Sequence, residues 1–137
     1  MDEIKEELEK IQKVLREEFK PFFIILFGSY ARNSQNKESD IDIAIFSEKA
    51  DKKSLFKTKQ NLEEMTCKDI DLVNLAEENM AEGFKYEILM NGIVIYCENS
   101  YRFEMYKLDE FREYLDFNES RQSIVNRLKE GGTIYGE

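Results

Sequence analysis

Residues 27–46 read FGSYARNSQNKESDIDIAIF, and the apolar run FFIIL stands directly before them. A glycine and a serine close one strand-like run, and two aspartates open the next. Phe22 to Phe27 has the length and continuous apolarity of a strand buried on both faces. Asp40 to Ser47 (DIDIAIFS) alternates, so Asp40, Asp42 and Ala44 share one face while Ile41, Ile43 and Ile45 share the other. Residues two apart on a strand point the same way with Cα atoms ~6.5 Å apart. Two ionised carboxylates at ~6 Å repel by about 3 kcal/mol at an effective dielectric of 20. Putting them together on an apolar strand is costly unless positive charge lies between them, and a hard divalent cation such as Mg²⁺ meets that need.

The rest of the chain supplies a frame for this stretch. Residues 2–19 form an amphipathic pattern through Ile4, Leu8, Ile11, Leu15 and Phe19, which Pro21 ends. Ser29 is placed to N-cap a short helix through Arg32, ahead of the polar loop NSQNKES. A helix follows over 54–66 with Leu55, Leu62 and Met65 on one face, then a third strand, KDIDLVNL, over 68–75. Residues 77–91 suit a helix with Met80, Phe84 and Ile88 on one side, capped by Gly92 before a short strand at Ile93–Tyr96. From Tyr101 a helical pattern runs to about Lys129, with a candidate break near 118–120 and a stop at Gly131-Gly132. The expected fold is α/β (α+β), a small mixed sheet flanked by helices. Residues 1–100 form its core and 101–137 a C-terminal helical extension.

Composition narrows the chemistry. The 137-residue chain has 42% hydrophobic residues, seven Tyr and ten Phe, enough for one domain with its own core. It has no histidine, which removes Ser-His-Asp and Cys-His triads, His-ligated zinc and imidazole proton shuttles. Carboxylates, hydroxyls, Lys, Arg and a hard metal are left. The net charge of −9 disfavours binding to a nucleic-acid backbone. No apolar run is long enough to span a bilayer and the first residues are acidic, so a cytoplasmic protein without membrane attachment is expected. Cys67 and Cys97 fit no metal-ligand spacing and read as buried free thiols.

The third strand carries Asp69 and Asp71. If it lies beside Asp40–Ser47, either one completes a set of three carboxylates around metal ions, an arrangement suited to phosphoryl chemistry. Gly28 leaves room for close backbone approach, and Ser29 adds a hydroxyl and an N–H; both suit a phosphate.

FGSYAR followed by SDIDIAIF, with ten residues between Ser29 and Asp40, resembles the Gly-Ser-x10-Asp-x-Asp signature of the DNA polymerase β-like nucleotidyltransferases, within residues 20–97. The short chain is similar to the minimal nucleotidyltransferases. CKDIDLVNL resembles the segment with the family's third carboxylate, placed on Asp71 ahead of Asp69, and EFREYLDF (Glu110–Phe117) resembles the C-terminal helix of MntA-type antitoxins. The resemblance implies that Gly28 and Ser29 bind the β,γ-phosphates of ATP, with Arg32 neutralising the triphosphate or bracing the loop. Asp40 and Asp42 hold two Mg²⁺ ions, and Asp71 binds the catalytic metal and helps deprotonate the acceptor hydroxyl. It implies AMP transfer to a tyrosine of a HepT-like toxin, which silences it. A small hydroxylated acceptor and a non-catalytic antitoxin that occludes its partner are the alternatives. The aromatic tail offers a surface for homo- or hetero-oligomers.

Overall fold

The computed structural model describes residues 4–31, 40–77 and 80–132, with the backbone alone over 117–132. Helix α1 spans Lys5–Phe19 and buries Leu8, Ile11, Leu15 and Phe19, with Ile4 buried just before it. Glu6 and Glu7 lie in its first turn, where the helix dipole favours negative charge. Lys20 turns left-handed (φ 44°) and returns its N–H to the Arg16 carbonyl, and Pro21 bars continuation.

Four five-residue strands follow: β1 Phe23–Phe27, β2 Ile41–Ile45, β3 Ile70–Asn74 and β4 Ile93–Cys97. They form one mixed sheet in the order β3-β2-β1-β4. The β1 strand is antiparallel to both β2 and β4, and β2 runs parallel to β3. Helix α2 (Lys52–Thr66) makes the crossover from β2 to β3, and Asp51 and Ser54 cap it reciprocally. Helix α3 (Glu82–Asn91) leads into β4, and helix α4 (Ser100–Gly132) follows.

The sheet separates two apolar layers. Ile24, Leu26, Ile41, Ile43 and Ile45 face α1 and α2, whereas Phe23, Ile25 and Ala44 face Ile88 and Leu89 of α3 and Phe103 of α4. Full burial of one such side chain stabilises the fold by about 1.5–3 kcal/mol. Phe23, Phe46, Phe103 and Tyr106 form an aromatic cluster on the second face, with Phe23 and Phe103 centroids 4.8 Å apart. Helices α3 and α4 are joined by a Tyr86–Tyr114 stack (4.1 Å, 8°) and by Lys85 and Glu110, a nearly buried ion pair at 3.9 Å.

Several expectations change. The helix expected over 77–91 starts at Glu82, and its Phe84 is 41% exposed instead of facing the core. Met65 is also exposed, and Thr58 and Thr66 join Leu55 and Leu62 on the buried face of α2. Thr66 is tolerated there because its hydroxyl donates to the Leu62 carbonyl at 2.8 Å. The final helix runs unbroken through 118–120. Both cysteines are free, but Cys67 is exposed and Cys97 half-buried, because Cys67 is the left-handed C-cap of α2 and Cys97 ends the edge strand β4. Among the described residues no helix is long and apolar enough to cross a membrane.

Candidate active site

The site lies at one end of the sheet, where β1 ends and β2, β3 and β4 begin. Antiparallel pairing of β1 with β2 sets Phe27 opposite Asp42. Parallel pairing of β2 with β3 sets Asp42 beside Asp71. Neighbouring strands lie about 4.8 Å apart, so these two carboxylates leave adjacent positions on the same face. Asp40 stands one residue before β2, two positions from Asp42 on that face, and the Ile41 N–H donates to the Asp69 carbonyl at 3.0 Å. Asp69 therefore flanks the start of β3, while Asp71 is the aspartate in register with Asp42. The face is the one covered further along by Ala44, α3 and α4. Asp40 and Asp71 are exposed and Asp42 half-buried.

Gly28 follows β1 with φ +75°, a left-handed conformation that side chains rarely adopt. A Cβ there would overlap the Asp42 carboxylate, whose Cγ would be 2.8 Å away. Glycine is thus required twice, by backbone angle and by close approach. Gly28–Ala31 form a turn, not the start of the short helix expected at Ser29, because the left-handed Gly28 re-aims the chain. Tyr30 is buried beneath this turn in the layer that α1 and α2 share. Arg32 lies outside the described residues.

Two features hold the carboxylate-bearing strands in place. Glu63 on α2 accepts the Ile70 N–H at 3.0 Å and pairs with Lys59 at 3.1 Å, contacts that pull its carboxyl below the usual range, the Ile70 bond foremost. At the far end of the sheet, buried Asn74 accepts from Ser47 N–H (3.1 Å) and donates to the carbonyls of Ser47 (2.8 Å) and Ala50 (3.2 Å). Both tie β3 to the β2–α2 unit and so fix the Asp42–Asp71 register.

The donor set suits Mg²⁺: carboxylate oxygens are hard ligands, and like charges gathered on one face are stabilised by a cation. Among the described residues no three acidic or thiol groups converge closely enough to enclose a metal on their own. Mg²⁺ commonly keeps one or two carboxylates and completes its shell with water and substrate phosphates, so an open site is compatible with it.

A neighbouring cleft was not legible in the sequence. Phe27, Gly28 and Ala31 form one wall, and Phe84, Glu87, Ile88 and Asn91 of α3 the other, around about 190 Å³. The only signal for it was the spacing of Phe84 and Ile88, read as one side of a helix.

Relatives bear on this arrangement directly. The "Putative protein adenylyltransferase MJ0128" of Methanocaldococcus jannaschii is 42% identical over 74 residues, which cover 53% of this chain and 76% of that protein. A chain in a crystal structure of a toxin–antitoxin pair with AMP-PNP superimposes with a TM-score of 0.76 and 27% identity, covering 88% of this chain and 96% of that one. A chain from the complex of tri-AMPylated Shewanella oneidensis HEPN toxin with MNT antitoxin gives a TM-score of 0.72 and 25% identity, over 93% and 98% of the two chains. Residues 9–101 match the family model described as polymerase beta, nucleotidyltransferase. With its glycine turn and register-matched aspartates inside that span, the chain belongs to the polymerase β nucleotidyltransferase family.

Proposed function

We propose that this protein is an Mg²⁺-dependent adenylyltransferase that moves AMP from ATP to a tyrosine hydroxyl of a cognate HepT-like toxin in the cytoplasm and so neutralises it. The observation that carries this reading is the Asp42–Asp71 register beside the Gly28 turn. Family membership supports nucleotidyl transfer. The toxin–antitoxin neighbours, one with AMP-PNP and one with an AMPylated toxin, support a protein acceptor.

In this reading the backbone of Gly28 and the hydroxyl and N–H of Ser29 receive the β,γ-phosphates, with Arg32 close enough in sequence to add positive charge. Asp40, Asp42 and Asp71 would hold the metal ions. Bound Mg²⁺ supplies charge neutralisation along the triphosphate and makes the acceptor hydroxyl more acidic. Asp71, on the strand next to Asp42, accepts the proton of the tyrosine hydroxyl as its oxygen attacks the α-phosphorus in line. A new P–O bond to tyrosine forms, the bridging bond to the β-phosphate breaks, and pyrophosphate leaves toward Ser29. Residues 1–100 act as the catalytic core, and the extension from 101 contacts the toxin through Tyr101, Met105, Leu108 and Leu115, all exposed on α4.

Incubation with Mg²⁺, ATP labelled at the α-phosphate and a HepT-like toxin from the same genome should label the toxin. Equal labelling by an Asp40→Ala/Asp42→Ala variant would reject the assignment. Label in a small product, with none in protein, would move the acceptor to a small molecule.

A further inference from the structure

The deepest unexplained feature near the site is Phe84. It is 41% exposed, yet it stands edge-on to Phe27 with centroids 5.8 Å apart. Phe27 is the strand partner of Asp42, so an aromatic ring projects beside the carboxylates without being part of the core. A lone exposed phenylalanine needs no explanation. This one has three accompanying observations.

First, the cleft that Phe84 lines is continuous with the phosphate turn, because Gly28 and Ala31 form its opposite wall. Second, α3 is held against β1 along its length: at its far end a Cβ on Gly92 would overlap Ile25 and come within 2.6 Å of the Ile88 carbonyl, and in its first turn the Phe84 ring meets Phe27. Third, the space next to Phe84 is open: a Cβ on Gly83 would meet nothing within 4 Å. At about 190 Å³ the cleft is too small for a whole drug-sized ligand and fits one ring system. Glu87 and Asn91, one turn apart on the same α3 face, offer hydrogen-bonding groups at its rim.

We infer that Phe84 is a specificity-determining residue whose ring stacks on the nucleobase of the bound nucleotide. The inference rests on the nucleotidyl-transfer reading above. An α-phosphate beside Asp42 leaves the base one ribose away, within reach of a ring that packs on Asp42's strand partner. Stacking on one aromatic face favours large π surfaces, so purines are preferred to pyrimidines.

Calorimetry on the full chain with Mg²⁺, without toxin, tests this with three probes: ATP, UTP and inorganic tripolyphosphate. In Phe84→Ala, ATP binding should weaken about tenfold, as loss of one base–aromatic stack implies. Tripolyphosphate binding should be unchanged, the ATP-over-UTP preference should disappear, and Phe84→Trp should restore both. Equal losses for ATP and tripolyphosphate would make Phe84 structural and overturn the inference; so would no loss for either. Failure of the wild type to label a toxin sinks the acceptor assignment but leaves this comparison intact. Failure of the wild type to bind any probe overturns both.

Discussion

Gly28 tolerates no side chain, because its φ is +75° and its missing Cβ is the space the Asp42 carboxylate occupies. Gly28→Ala should cost about 1–2 kcal/mol from the left-handed backbone alone, and it should displace Asp42. Thermal unfolding and ATP titration should both show losses, with affinity falling further than the stability change implies. Asp71→Asn removes the proposed base without changing side-chain volume, so toxin labelling should drop by roughly 10²–10⁴. The same change relieves like-charge repulsion with Asp42. The protein without Mg²⁺ should therefore gain a few tenths to about 1 kcal/mol, discounted because Asp71 is exposed. Addition of Mg²⁺ should raise the melting temperature of the wild type more than that of Asp71→Asn. At this scale much of the site was legible in the sequence. Period-two alternation put Asp40 and Asp42 on one face, and the lack of histidine pointed to carboxylates and metal. Spacing alone left Asp69 and Asp71 open and only the family resemblance favoured Asp71; the pairing of Asp71 with Asp42 is a long-range fact that local spacing does not encode. The turn at Ser29 was read as a helix because an N-cap serine and a turn serine look alike until the glycine's φ is known.

Among the elements, β3 is tied at both ends to the β2–α2 unit, by the Glu63 side chain of α2 at one end and by its own Asn74 at the other. Glu63 accepts the Ile70 N–H one residue before Asp71. Its folded pKa is lowered, so its contribution is complete above the unfolded value near 4.5 and is lost as pH falls through the lower folded pKa. Glu63→Gln should cost about 1 kcal/mol at neutral pH. It should also flatten the acid limb of the stability–pH curve, measured by urea unfolding from pH 7 downward. Asn74→Ala removes four side-chain hydrogen bonds, two of them buried, and strands the Ser47, Ala50 and Ala76 backbone groups. A loss of about 2–3 kcal/mol in the same assay is expected. The fold was legible here wherever periodicity and burial agree, as in α1, whose stripe of Leu8, Ile11, Leu15 and Phe19 is buried. It failed where an amphipathic stripe serves two purposes. Along the stripe read over 77–91, Met80 ahead of α3 and Ile88 within it pack into the second layer, but Phe84 between them is 41% exposed. In α2, Thr66 satisfies its hydroxyl inside its own helix, so Met65 is left outside.

As a whole, the molecule is an acidic domain with a net charge of −9, and its sheet places Asp42 and Asp71 side by side next to the Gly28 turn. Its longest helix has two apolar faces: Phe103 and Tyr106 pack on the sheet, and Tyr101, Met105, Leu108 and Leu115 face outward. Charging the outer face with Met105→Glu/Leu108→Glu should abolish co-elution with the toxin and leave ATP binding unchanged. That separates partner recognition from nucleotide handling. The two faces were visible in the sequence as an excess of aromatics in the tail, but which residues face outward depends on how α4 lies across α3. The central claim is that this carboxylate cluster transfers AMP to a protein hydroxyl. Intact-mass spectrometry of a HepT-like toxin after incubation with ATP, Mg²⁺ and the protein tests it most directly. The account predicts a mass increase of one or more adenylyl groups located on tyrosine, absent with Asp71→Asn and with chelator. An unmodified toxin that is nevertheless neutralised, or equal modification by Asp71→Asn, would contradict it.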